Sequence, residues 1–268
     1  MICIVKQRAN TLHMLMKTST LLLLFTATLL ACTTLNPQAE GSTPPSHASW
    51  DALLKKHVNA NGEVDYEGFK KDRVQLQSYL DLLSSHAPDD ATWSENQKLA
   101  YWINVYNAFT IELILRHHPL ESIKDIGSKI QVPFVNSPWD VKFIEIAGET
   151  YDLNNIEHNI LRKLFDEPRI HFAIVCASVS CPNLRAEAYT GDKVQDQLEE
   201  DAIYFVNDSS KNKLSADKVE LSKIFSWFTG DFTKKGSLID FLNQYSELDI
   251  NENAKVSHLD YNWGLNEQ

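Results

Sequence analysis

The stretch Ser94-Glu-Asn-Gln-Lys-Leu-Ala-Tyr-Trp-Ile-Asn-Val-Tyr-Asn-Ala-Phe-Thr-Ile-Glu-Leu-Ile-Leu-Arg116 decides the fold. Leu99, Trp102, Ile103, Tyr106, Thr110 and Leu113 recur at spacings of three and four, which places them on one face of a helix. Ala100, Val105, Ala108 and Ile111 make the other sides apolar too, and a helix greasy nearly all round belongs at the centre of a domain. His117, His118 and Pro119 end it, the histidines suiting the negative end of the helix dipole. Asn104 and Asn107 interrupt the apolar surface three residues apart. Buried amides must be paired, so these two either brace neighbouring backbone or offer donors to a substrate or an oxyanion.

Around this helix the pattern is mixed. Residues 141–146 and 149–153 alternate apolar with polar about Ala147-Gly148, the signature of a tight hairpin. A helix follows over 154–165 with the stripe Ile156, Ile160, Leu161 and Leu164. Residues 169–175 form a short apolar run that reads as a buried strand emptying into Cys176-Ala-Ser-Val-Ser-Cys-Pro182. Lys213-Leu214 and 219–221 suggest a second small hairpin, the aromatics of 221–232 read as core, and 238–245 as a short helix. The expected class is α+β: a buried central helix, a small and mainly antiparallel sheet, and surrounding helices.

The N-terminus has the order of an export signal. Lys6, Arg8 and Lys17 precede an apolar run from Leu21 to Leu30, too short for a permanent membrane span, and then Ala31. Leu29-Leu30-Ala31-Cys32 resembles a bacterial lipobox, which implies cleavage after residue 31 and lipid on Cys32. Residues 32–49, with Pro37, Gly41, Pro44 and Pro45, read as a flexible tether, and 50–268 as one globular domain. The expected location is the bacterial cell envelope, on the outer membrane facing the periplasm. The formal net charge is −11, and losing a signal with three cations and no acids makes the mature part more acidic. Such a surface repels phosphate backbones, so nucleic acid is not an expected partner.

The chemistry-bearing residues cluster in two places. Cys176 and Cys181 are the two thiols left after export, and an isolated pair in an oxidising compartment is either a disulfide or a nucleophile with a neighbour. On a strand, His171 would point away from Cys176 and lie about 17 Å from it, so it would act through another element or sit satisfied in the core. On the 154–165 helix, Glu157 falls inside the apolar stripe and His158 beside it, a pattern for a catalytic or ligand-holding pair or for a buried network with an arginine. No phosphate loop, metal spacing or serine nucleophile elbow is present, so neither cofactor nor metal is expected.

Three motifs carry a family likeness. Tyr101-Trp-Ile-Asn-Val-Tyr-Asn-Ala108, Ile156-Glu-His-Asn-Ile-Leu-Arg162 and His171-Phe-Ala-Ile-Val-Cys-Ala-Ser-Val-Ser-Cys-Pro182 resemble the domain of unknown function 547 family, over about 99–232. The closing Tyr261-Asn-Trp-Gly-Leu-Asn266 resembles the tail of exported members. The resemblance implies a cysteine at position 176 and cysteine or serine at 181, which favours a role for Cys176 of its own. A looser likeness to the papain and transglutaminase superfamily extends to fold alone, because Asn104 or Asn107 stands where those enzymes begin their central helix with cysteine.

Two functional expectations follow. One is a cysteine-dependent hydrolase or transferase acting on an amide, ester or thiol, with Cys176 as nucleophile, His158 or His171 as base and Glu157 orienting it. Asn104, Asn107 and Ser178 would then hold substrate. The other is a non-catalytic binding module for a small molecule or peptide, with Cys176 and Cys181 joined. Redox exchange is the weaker third, since four residues separate the cysteines rather than two.

Overall fold

In a computed structural model of the chain, residues 43–129 and 137–268 are described. The expected signal, Cys32 and most of the tether lie outside them. The central helix, α4, runs Glu95–His117, after α1 (Ala48–His57), α2 (Tyr66–Lys71) and α3 (Arg73–Ser84). Its start is fixed by a capping box: Ser94 Oγ accepts from Gln97 N at 3.2 Å and Gln97 Oε1 accepts from Ser94 N at 2.8 Å. Every residue from Leu99 to Leu115 is buried. The charged one among them, Glu112, is held by Arg73 of α3 and, at 2.6 Å, by Arg116 Nε one turn on. Both cations are half in solvent, so the buried carboxylate is paired without burying a second full charge.

Beyond α4 the chain forms α5 (Lys124–Lys129), then β1 (Ile144–Ile146) and β2 (Glu149–Tyr151), paired antiparallel with Ile146 opposite Glu149. Ala147 and Gly148 both take positive φ, 50° and 87°, as the expected two-residue turn demands. The helix expected over 154–165 is a π-helix, Asn155–Leu161, closed by the short α6 (Arg162–Leu164). Its stripe is buried through Leu161, but Leu164 is exposed.

Residues 169–175 do not form the expected strand. Ile170–Ala173 is one helical turn, α7, closed by the Ile174 N–H to Ile170 O bond at 3.0 Å, and the chain leaves it extended at Ile174. A short apolar run cannot be assigned by periodicity. Here a side chain replaces the sheet neighbour that a strand would need: Asn107 of α4 gives Nδ2–H to Ala173 O at 2.9 Å and accepts Val175 N–H at 3.0 Å.

The remainder comprises α8 (Val194–Asn207), β3 (Lys213–Leu214), β4 (Lys218–Leu221), α9 (Lys223–Trp227), α10 (Thr229–Phe232), α11 (Leu238–Asn243) and β5 (Lys255–His258). β3 and β4 pair antiparallel as expected, while β5 joins β4 in parallel. The architecture is therefore α+β with two small sheets. All described residues belong to one unit, Ala39–Gln268. It has a large core around α4 and a second one where Phe172, Phe205, Phe225, Phe232 and Phe241 pack with ring centroids 4.9–6.2 Å apart.

Candidate functional site

A cavity of about 180 Å³ opens between the π-helix, α7, α9 and the C-terminal tail. Its polar wall comes from the motifs singled out in the sequence: Glu157, His158, His171, Cys176 and Cys181 all line it. Its apolar wall comes from elsewhere. Trp227 and Phe228, expected to be core, face the cavity, and Trp227 is 47% exposed. Trp139, Tyr261 and Trp263 complete the aromatic side.

The tail reaches the cavity because it straps the cysteine loop. Val179 N–H donates to Gly264 O at 2.7 Å, Ser180 N–H to Asn262 O at 3.1 Å, and Asn266 N–H to Ala177 O at 3.3 Å. Asn266 is itself anchored by Tyr66 Oη at 2.7 Å. Within the loop Ala177 takes a left-handed φ of 58°, a conformation that costs a residue with a Cβ about 1 kcal/mol and persists where surroundings enforce it.

Cys176 and Cys181 are joined, with Cα atoms 6.2 Å apart, inside the usual range for a disulfide. The Cys176 sulfur lies 3.2 Å from Ser178 Oγ and 3.3 Å from Tyr261 Oη, and the Cys176 amide approaches the Cys181 sulfur at 2.9 Å. Ser178 is buried and donates to Tyr261 Oη at 3.1 Å, so it braces the bridge from behind rather than lining the cavity.

The two histidines are held by different partners. His171 is buried, stacks on Phe228 at 3.9 Å, and donates Nε2–H to Asp231 Oδ2 at 2.8 Å. Its Nδ1 is then an acceptor without a partner. Burial lowers the His171 pKa against the opposing pull of Asp231. His158 Nδ1 accepts from Arg162 Nη1 at 2.9 Å, and burial and the guanidinium charge together lower its pKa. Arg162 also donates from Nε to Asp231 Oδ2 at 2.6 Å, and its guanidinium sits 5.0 Å over Phe228. The His171 hydrogen bond first, and then Arg162, hold the Asp231 carboxyl far below the usual range.

Glu157 is 8% exposed and receives one long hydrogen bond, 3.4 Å from Tyr106 Oη. Burial pushes its pKa up to about 7, although Arg162 and Tyr106 pull the other way. The π pitch places residues five apart on a common side, which brings the Arg162 charge within reach of Glu157.

The expected relay is not assembled. No hydrogen bond joins Cys176 to His158 or His171 among the described residues, and Glu157 does not touch either imidazole through one. Asn104 and Asn107 take the bracing role: Asn104 clamps Tyr189 through its O at 2.7 Å and its N–H at 3.1 Å, as Asn107 does Ala173 and Val175, and neither lines the cavity. Arg162 is the arginine of the network expected beside Glu157 and His158, whereas the site roles of Asp231, Tyr106 and the aromatic wall carry no sequence expectation. Arg162 and Tyr261 lay inside quoted motifs, whereas Asp231 carried no local signal.

Among the described residues no group of three or more His, Cys, Asp or Glu side chains is placed to hold a metal ion, and no helix is long and apolar enough to cross a membrane. Neither curated proteins nor solved structures gave a match to the chain. Residues 91–206, from just ahead of α4 into the last turn of α8, match the family model described as Protein of unknown function, DUF547.

Proposed function

We propose that the chain is an envelope lipoprotein, anchored through Cys32 and facing the periplasm from the outer membrane, whose globular part is a non-catalytic binding module. Its cavity receives a small molecule or the end of a peptide. The carrying observation is that the Cys176–Cys181 bridge forms part of the cavity wall. Bridged sulfur is not a nucleophile, because attack needs the thiolate. A pocket of aromatic side chains with a few placed polar groups is the usual makeup of a ligand site. Export into an oxidising compartment, read from Lys6 through Cys32, supports a persistent bridge.

A thiol count by mass spectrometry on protein purified from an oxidising compartment without reductant tests this. Cys176 and Cys181 are expected to be quantitatively bridged and inert to alkylation. A free Cys176 that alkylates with an apparent pKa well below the usual ~8.5 replaces the module with the cysteine-dependent hydrolase or transferase. That second reading has one observation in its favour: Cys176 is the partly exposed cysteine of the pair and shares the cavity with Glu157 and His171.

A further inference from the structure

We propose that the cavity takes a primary ammonium group carried on a short apolar stem. The inference rests on the binding-module reading and names its ligand class.

The polar side of the cavity is short of positive charge. Glu157 is more than nine-tenths buried, lines the cavity, and has no ion pair within 4 Å among the described residues. A buried carboxylate with one long hydrogen bond has lost hydration without replacement, which is costly. The nearest cation makes good only part of the loss: the Arg162 charge pulls on Glu157, but its hydrogen bonds go to Asp231 and His158 and none reaches the Glu157 carboxylate. Two carboxylates, Glu157 and Asp231, therefore stand against one arginine, and burial keeps His158 and His171 from adding charge.

The other side is suited to the same ligand. Trp227, Tyr261 and Trp263 pack with centroids 4.5–5.6 Å apart, and Trp139 meets Trp263 at 5.8 Å. Aromatic faces attract cations through their quadrupole, tryptophan most strongly. This cluster already holds one ammonium, since Lys124 Nζ sits 3.7 Å from the centre of the Trp263 ring. A cavity of about 180 Å³ admits a ligand end group and not a large body. Primary rather than quaternary nitrogen follows from Glu157, which receives one long hydrogen bond and would gain charge-assisted N–H donors from a primary ammonium but charge alone from a quaternary one.

The test uses the full globular chain with the bridge intact and reads tryptophan fluorescence and calorimetry. The probes are 2-phenylethylamine, its N,N,N-trimethyl derivative and the neutral 2-phenylethanol. At pH 8 the amine is expected to bind roughly ten-fold or more tighter than the alcohol, and tighter than the trimethyl derivative. Glu157→Gln is expected to remove the preference for amine over alcohol. Trp227→Ala, at a half-exposed position, is expected to weaken all three probes. Between pH 6 and 8 the amine should gain affinity as Glu157 ionises. The groups acting on that carboxyl are Tyr106 of α4, Asp231 of α10, Tyr261 of the tail and Arg162 of its own helical segment.

Equal binding of amine and alcohol, or an amine preference that survives Glu157→Gln, overturns the ammonium inference while leaving the cavity as a binding site. Failure of all three probes to bind overturns the inference and counts against the module as well. An N-acetylated peptide amide with one lysine distinguishes the source: tighter binding than 2-phenylethylamine assigns a peptide lysine, and weaker binding a free amine.

Discussion

Asp231 lies sixty residues from His171, yet its Oδ2 accepts the His171 Nε2–H at 2.8 Å and the Arg162 Nε–H at 2.6 Å. One carboxylate oxygen of α10 thus ties the α7 turn to α6. His171 is buried, so removing its acceptor strands a donor in an apolar setting beneath Phe228.

Asp231→Ala is accordingly expected to lower unfolding free energy at pH 7 by about 2 kcal/mol, because it strands the buried His171 donor and removes the partner of Arg162. The pH sign follows from the depressed carboxyl. A group whose folded pKa lies below its unfolded value contributes stability above the unfolded value and loses it as pH falls toward the folded one. Urea unfolding from pH 7 down to 3 checks this: the wild type should lose more stability over the acidic end than the variant. Parallel curves would remove Asp231 from the account.

Glu157 has the opposite sign. Its folded pKa of about 7 exceeds the ordinary 4.5, so the folded state binds the proton more tightly. Stability then falls as pH rises through the window from about 4.5 to 7, by at most about 3 kcal/mol, and stays lower above it. Glu157→Gln should abolish that fall and leave the protein more stable than wild type at pH 8. A variant less stable at pH 8 would mean that the carboxylate is satisfied by a partner.

How far the sequence reaches is best seen by comparing Glu157 with Asp231. Helical periodicity fixes the inward direction of Glu157 from its own neighbours, and the change from α to π pitch does not reverse it. The central helix, both hairpins and the Cys176–Cys181 loop were legible for the same reason, being local patterns. Asp231 sits among Thr229, Gly230 and Phe232 with nothing local to mark it, and its role depends on packing against segments sixty residues away. The α7 turn reads as strand from sequence because its backbone partner is the Asn107 amide, a contact across sixty-six to sixty-eight residues. The family match likewise ends at residue 206, so it takes in Glu157, His171 and both cysteines but not Trp227, Asp231 or Tyr261.

Asn107 is expected to be a stability residue. Its amide satisfies one carbonyl and one N–H in a region where water is excluded, and Asn107→Ala strands both. Each unsatisfied buried group costs about 1–3 kcal/mol, so the substitution should destabilise by about 2–6 kcal/mol and Asn104→Ala by a similar amount. Chemical denaturation monitored by circular dichroism measures both. A loss under about 1 kcal/mol for Asn107→Ala would show that the α7 turn holds without its clamp.

The Cys176–Cys181 bridge closes a loop with a sequence separation of 5, so the chain-entropy account assigns it about 2 kcal/mol. Cys176→Ser with Cys181→Ser should therefore lower stability by about that amount and leave the fold intact, because Ser178, Tyr261 and the tail's backbone hydrogen bonds still pin the loop. The two variants differ as single changes. Cys181 is buried, and its lone thiol would remain packed, whereas a lone Cys176 is partly exposed at the cavity. Cys181→Ser should thus leave a Cys176 that a thiol probe reaches, and Cys176→Ser a Cys181 that it reaches slowly. Comparable labelling rates would show that the loop opens when the bridge is lost, which makes the tail strap weaker than its hydrogen bonds suggest.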